Sequence, residues 1–169
     1  MTVPTSLDEL LTFEAIKAVK YAYVRCLDQK RWDEMLELFT EDATAAYSGG
    51  KYHYEGRDTI VDFMRTNMSR DAFHTSHRMH HPEIELVSPT EAIGIWAMED
   101  VNVDVEWDFY LTGAGFYEDR YRKVGDTWLI AHTGYKRTFE TIMPMSLGRP
   151  MKLTASWWTT NGQSELGVQ

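Results

Sequence analysis

Four of the six histidines fall in one short stretch, Phe73 to Pro82 (FHTSHRMHHP). Imidazole exchanges protons near neutral pH, so a histidine in a sheltered site is a ready acid/base group. A spacing of three puts residues on opposite faces of an extended strand. His74 and His77 therefore point opposite ways, and no pair among His74, His77, His80 and His81 has the geometry of a metal clamp. The stretch predicts one pocket histidine, for which His77 is the candidate, with the others solvated. A neighbouring carboxylate would fix which ring nitrogen carries the proton. Asp28 and Asp100 are both candidates for that neighbour, and the residues alone leave the choice open. Strand alternation from Glu91 sets Trp96, Met98, Asp100 and Asn102 on one face. A carboxylate on that face requires a partner such as a histidine, unless the strand end frays and Asp100 is solvated. Tyr23 precedes Asp28 by five residues, about 140° around an ideal helix, so the two share a pocket only if the helix stops near Asp28. There its phenol would donate to a substrate oxygen; otherwise it is a core aromatic.

These residues need elements to hold them. Ser6-Leu7-Asp8-Glu9 has capping-box spacing. Leu7, Leu10, Leu11, Ile16, Val19, Tyr23 and Cys26 follow at mostly helical intervals, giving a helix from Leu7 to Leu27. Trp32, Met35, Leu36 and Phe39 at i, i+3, i+4 and i+7 predict a second helix, with Asp28 at the junction. Gly49-Gly50, inside Ala43 to Gly56, marks a hairpin, and Arg57 to Met68 reads as a short helix. Strands follow at His74 to Leu86, Glu91 to Val105, Phe109 to Lys123 and Trp128 to Phe139, separated by turn residues such as Ser88-Pro89 and Gly125-Asp126. Helices first and long consecutive strands later imply an α+β class with a meandering, mostly antiparallel sheet. Gly113 and Gly115 open no helix, so they mark a bend and not a phosphate loop. The domain ends near residue 142, and a tail over 143–169 carries Pro144, Pro150 and the pair Trp157-Trp158. That tail covers the pocket mouth or a neighbouring subunit.

Composition narrows the function classes. The chain has 169 residues, 43% of them hydrophobic and 25% charged, enough for one sizeable core. A net charge of −9 without a dense Lys/Arg cluster argues against nucleic acid and anionic membranes as partners, and for a neutral or cationic ligand. Cys26 is the only cysteine, which excludes an intrachain disulfide and a cysteine-based zinc site and favours the cytoplasm. No leader pattern and no run of 18 apolar residues is present, so neither secretion nor membrane spanning is expected.

Tyr23 to Phe39 (YVRCLDQKRWDEMLELF), His77 to Asp100, and Gly115 to Arg137 (GFYEDRYRKVGDTWLIAHTGYKR) occur in an order and spacing that resembles the nuclear-transport-factor-2-like, or SnoaL-like, superfamily. Within it the resemblance is to scytalone dehydratase and bile acid 7-alpha-dehydratase, over about Leu7 to Phe39 and onward to Phe139. It implies a cone, or cystatin-like roll, in which helices pack on a strongly curved sheet around one deep pocket. It also implies catalytic roles for Tyr23, Asp28, His77 and Asp100. The Asp28/His77 pair is similar as well to the dyad of hexachlorocyclohexane dehydrochlorinase, which points to elimination chemistry. Trp96, Met98 and His132, the last on the strand face of Trp128 and Ile130, are expected to line the same pocket.

The implied chemistry suits the residue types. Loss of water beside a carbonyl needs a base for the α proton and an acid for the departing hydroxyl, and one oriented histidine can serve as both. Tyr23 would stabilise enolate charge on the oxygen. No cofactor and no metal is required. The Trp, Met, Phe and Tyr content suits a small apolar substrate such as a steroid, aromatic or polyketide-like compound. An isomerase using the same groups and a non-catalytic binding or assembly module are the alternatives. The resemblance further implies a homo-oligomer, a trimer in preference to a dimer.

Overall fold

The computed structural model describes residues 3–147, 154–156, 158–160 and 163–164. Helix α1 (Leu7–Asp28) starts where Ser6 accepts a hydrogen bond from the Glu9 backbone N–H. The Glu9 carboxylate reaches back one residue further than a capping box requires, to the Thr5 N–H at 2.6 Å. The packed face of α1 begins at Phe13 and continues through Ile16, Lys20, Tyr23, Cys26 and Leu27. Leu7, Leu10 and Leu11, expected on that face, are exposed, because the first two turns precede the packed interface. The helix closes in a Schellman motif: Arg31 N–H bonds Cys26 C=O at 2.8 Å and Lys30 N–H bonds Leu27 C=O at 3.2 Å. Lys30 takes the left-handed position at φ 55° that glycine usually fills, and the helix therefore stops at Asp28.

Helix α2 is shorter than its periodicity suggests, ending at Leu36 (Trp32–Leu36). Phe39 keeps its buried place but opens strand β1 (Phe39–Tyr47). Ser48, Gly49 and Gly50, all at positive φ, turn β1 into β2 (Tyr52–Glu55), as the glycine pair predicts. Helix α3 (Arg57–Met68) leads to four long strands: β3 (Phe73–Ser88), β4 (Glu91–Asp104), β5 (Phe109–Val124) and β6 (Thr127–Met143). The six strands form one curled, open, mixed sheet in the order β2-β1-β6-β5-β4-β3. All neighbours run antiparallel except β1 and β6, which are parallel. Helix α1 packs against β3 and β6, and α3 against β1, which leaves a hollow between helices and sheet.

Two bulges in β6 decide which side chains enter that hollow. Tyr121 pairs with Ile130 but Arg120 pairs with His132, so Ala131 is the extra residue. A second extra residue, Thr138, lies between the pairs Gly115/Arg137 and Ala114/Phe139. Trp128 and Ile130 point inward before the first bulge; after it Thr133, Tyr135 and Arg137 do so, and His132 is turned to the other face.

Within the described tail the Thr160 N–H bonds Ser156 C=O at 3.1 Å, closing a turn, and the Trp158 ring lies 4.5 Å from Lys30 Nζ, so this part of the tail reaches back to the end of α1 in its own chain. Trp157 lies outside the described residues. Among the described residues, no helix is long and apolar enough to cross a membrane.

Candidate active site

The end of α1 and the inward face of β3 meet at a carboxylate–imidazole pair. Asp28 Oδ1 lies 2.7 Å from His77 Nδ1 and accepts from the Thr75 hydroxyl at 2.8 Å. Asp28 Oδ2 accepts the His77 backbone N–H at 2.9 Å. Three donors thus fix one carboxylate, two of them from the residue it orients. An ionised carboxylate only accepts, so Nδ1 carries the proton and Nε2 is left with its lone pair. The His77 side chain is 9% exposed and faces a cavity of about 230 Å³.

His77 pairs in register with Asp100 on β4, and Thr75 with Asn102, so these four form a polar patch on one face of adjacent strands. The partner of Asp100 is not the expected histidine. Arg137, from β6, clamps it with both terminal nitrogens, Nη2 to Oδ2 at 2.8 Å, and Asn102 Nδ2 donates to Oδ2 at 2.7 Å. The guanidinium reaches across β5 because Gly113, the residue paired with Asp100, has no side chain; a Cβ there would stand 2.6 Å from Arg137 Nη1. Burial by itself would raise the Asp100 carboxyl, but the hydrogen bonds and charge of Arg137, aided by Asn102, hold it below the usual carboxylate range. Burial likewise opposes the charge on Arg137, and the Asp100 bonds outweigh it and raise the guanidinium further.

The inner wall is phenolic. Tyr23, Tyr47 and Tyr117 are fully buried around the cavity, and the Tyr23 and Tyr47 hydroxyls are 3.4 Å apart. Burial raises all three phenols well above their ordinary range, so they are neutral hydrogen-bond donors at any pH the protein meets. Leu27, Phe63, Met64, Met68 and Phe73 supply apolar surface, with Phe63 stacked on Tyr54 at 4.4 Å.

Tyr23, His77 and Asp100 therefore border one cavity, with Asp28 directly behind His77. Trp96 and Met98 share the inward face of β4 with Asp100 but lie in the core and not along the cavity wall, with Trp96 edge-on to Tyr21 at 6.1 Å. The expectation that they line the pocket is corrected by position along the strand: the hollow opens only beyond Met98. His132 is outside the cavity for the reason the first β6 bulge supplies, and it bonds Thr44 Oγ1 at 2.7 Å instead. His74 is on the opposite face from His77, as alternation requires, and His81 is exposed. Arg137 was not singled out by sequence reasoning. Simple alternation from Trp128 turns it outward, and no residue type announces the bulge that reverses this. Among the described residues, no group of three or more His, Cys, Asp or Glu side chains could hold a metal ion.

Comparison with known proteins matches residues 8–134 to the model of a SnoaL-like domain. Among solved structures, the chain is similar to a hexachlorocyclohexane dehydrochlorinase, LinA-type3, from Novosphingobium barchaimii (18% identity, TM-score 0.73, covering 81% of this chain and 93% of that one). It is similar to a provisionally described scytalone dehydratase from Novosphingobium aromaticivorans (24% identity, TM-score 0.71, 79% and 88%). A protein of cystatin-like fold from Caulobacter vibrioides also matches (17% identity, TM-score 0.62, 75% and 89%). At these identities the likeness establishes the fold.

Proposed function

Since the chain belongs to the SnoaL-like domain family, we propose that it is a cofactor-independent lyase that eliminates water from a small, apolar hydroxy-carbonyl compound. The observation that carries this reading is the Asp28–His77 pair, with its lone-pair nitrogen at a cavity that neutral phenols also line. His77 Nε2 takes the proton α to the carbonyl. Tyr23 donates to the carbonyl oxygen as enolate charge develops there. The imidazolium then returns its proton to the departing β-hydroxyl, so that one group serves as base and acid on one face of the substrate and water leaves. Asp28 orients the ring, and Asp100 with Arg137 presents a fixed polar pair beside it. The polar side chains present supply each of these proton transfers. Descriptions of two similar structures as a dehydrochlorinase and a provisional dehydratase favour elimination over isomerisation.

The cavity accepts a neutral ligand better than an anion, because the Arg137 charge is already answered by Asp100 and Glu140. We place the activity in the cytoplasm, in keeping with the buried, unpaired Cys26. We also propose a homo-oligomer, with three chains favoured, joined through the outer sheet face where Ile93, Ile95 and Phe116 are exposed.

The test is a mass-spectrometric screen of hydroxy ketones, aromatic ketols and steroids with the wild type and His77→Ala. Loss of 18 mass units, the mass of one water, only with the wild type supports the reading. Products of unchanged mass turn it to isomerisation, and no product from ligands that bind turns it to a binding module.

A further inference from the structure

Lys20 is a fully buried lysine that does not line the cavity described above and has no part in the proposed proton transfers. Its ammonium lies 2.7 Å from Asp119 Oδ2, and both side chains are completely enclosed. Asp119 is further held by the Tyr121 hydroxyl and the Thr133 hydroxyl, each at 2.8 Å. Burying two charges is costly even when they pair, and an apolar residue at position 20 would fill the same space. Such a pair persists where it specifies an arrangement, and the arrangement here is visible. Lys20 Nζ lies 3.5 Å from the centroid of the Tyr117 ring and 4.7 Å from that of Tyr23. The two rings meet edge to face at 6.2 Å, and both belong to the cavity wall. Lys20 and Tyr23 come from α1, Tyr117, Asp119 and Tyr121 from β5, and Thr133 from β6, so the ammonium ties the helix to two strands behind the phenols.

We infer that the buried Lys20–Asp119 pair is a positioning device that holds the Tyr23 and Tyr117 rings so that their hydroxyls converge on a substrate oxygen. This rests on the reading of Tyr23 as an oxygen donor in that cavity. The attraction of a cation for two ring faces is strongest without water, as here, and it constrains ring orientation where apolar packing would permit sliding. Neither Lys20 nor Asp119 touches the ligand.

The test uses a matched pair of probes, 1-tetralone and tetralin, which differ by one carbonyl oxygen, and measures the dissociation constant of each for the full chain. In the wild type the ketone is expected to bind roughly tenfold more tightly than the hydrocarbon, the effect of about one buried hydrogen bond. In the charge-free double variant Lys20→Met/Asp119→Asn, that ratio is expected to fall towards one while tetralin affinity stays within about twofold, since only the oxygen contact is lost. In a Tyr23→Phe/Tyr117→Phe background, where neither hydroxyl remains to be positioned, the same pair of substitutions is expected to have no further effect on the ratio. A folded double variant with an unchanged ratio would overturn the inference, as would additive effects with Tyr23→Phe/Tyr117→Phe. Should the double variant fail to fold, Asp119→Asn alone keeps the Tyr121 and Thr133 partners and must still lower the ratio; if it does not, the inference falls. A wild-type ratio near one would remove this inference together with the oxygen-donor role of Tyr23. His77-dependent water loss would still stand on its own assay.

Discussion

Replacing Asp28 by asparagine keeps the shape of the side chain and changes only what its two terminal atoms can do. In the wild type both are acceptors, facing Thr75 Oγ1, His77 Nδ1 and the His77 backbone N–H. An amide has one acceptor and one donor, so one position must fail. If the amide nitrogen faces the His77 backbone N–H, two donors oppose each other, at a cost of about 1–3 kcal/mol for the buried group left unsatisfied. If the amide is flipped, its NH₂ meets Nδ1, and the imidazole must move its proton to Nε2 to accept that bond. The flipped form avoids the donor–donor contact within the strand and should prevail. It puts a proton on the nitrogen that faces the cavity and removes the lone pair the reaction needs. Turnover in Asp28→Asn should then fall by ~10²–10⁴-fold, the usual range for loss of a positioned general base. The tautomer can be read without a substrate from the ¹⁵N shifts of the His77 ring at high pH, and turnover from the water-loss assay. An Asp28→Asn protein that keeps its Nδ1–H tautomer and full turnover would refute the reasoning, as would a wild-type His77 found protonated on Nε2.

Other consequences follow from the second polar pair and from the sheet. Arg137→Met leaves Asp100 buried without its cation and should lower stability by about 3–5 kcal/mol in urea unfolding. Gly113→Ala should displace the same guanidinium, because the new Cβ would stand 2.6 Å from Nη1; the expected result is a milder loss of stability, about 1–3 kcal/mol, with reduced turnover. The Asp100 carboxyl is held low in the folded state, so the unfolded chain binds more protons in acid and stability rises with pH. Its contribution should be complete above the ordinary carboxylate range and disappear as pH drops through the lower folded value. The unfolding free energy of Asp100→Asn should accordingly show a flatter acid limb than the wild type between about pH 2 and 5. Phe116→Glu, on the exposed outer face, should reduce the mass measured by light scattering if the oligomer forms there, and leave it unchanged if it does not.

The parts legible in the residues were those governed by local rules. The helix stop at Asp28 and the strand phase of His77 are both short-range, and together they bring the dyad to one place. Asp100 on an apolar face demanded a partner, but the identity of that partner depended on a strand two places away in the sheet. One cause turns His132 away from the cavity and hides Arg137 from sequence reasoning: the extra residue at Ala131 inverts the side chains of β6 as far as the second bulge, without any marker of its own. For Trp96 and Met98 alternation predicts the right face but not the depth, because it says nothing about where along a strand a cavity opens. Phe39 fitted the helical period and still joined a strand, since its buried environment beside Ile130 serves either conformation. Lys20 looked like any charged residue on a helix; only the arrival of Asp119 from β5 makes its burial possible.

The bulges of β6 also shape how this site can change over generations. Between them, Thr133, Tyr135 and Arg137 face inward, the last two onto the cavity, only because an odd residue precedes them. No single substitution among these positions moves the cationic partner of Asp100 to the outer surface, but removing one codon near Ala131 would do so, and would bring Gly134 and Lys136 inward in its place. The lineage of this chain is thus able to try many side chains on the cavity wall by point mutation, whereas the polarity of the strand beyond Ile130 switches in one step, through a change in length.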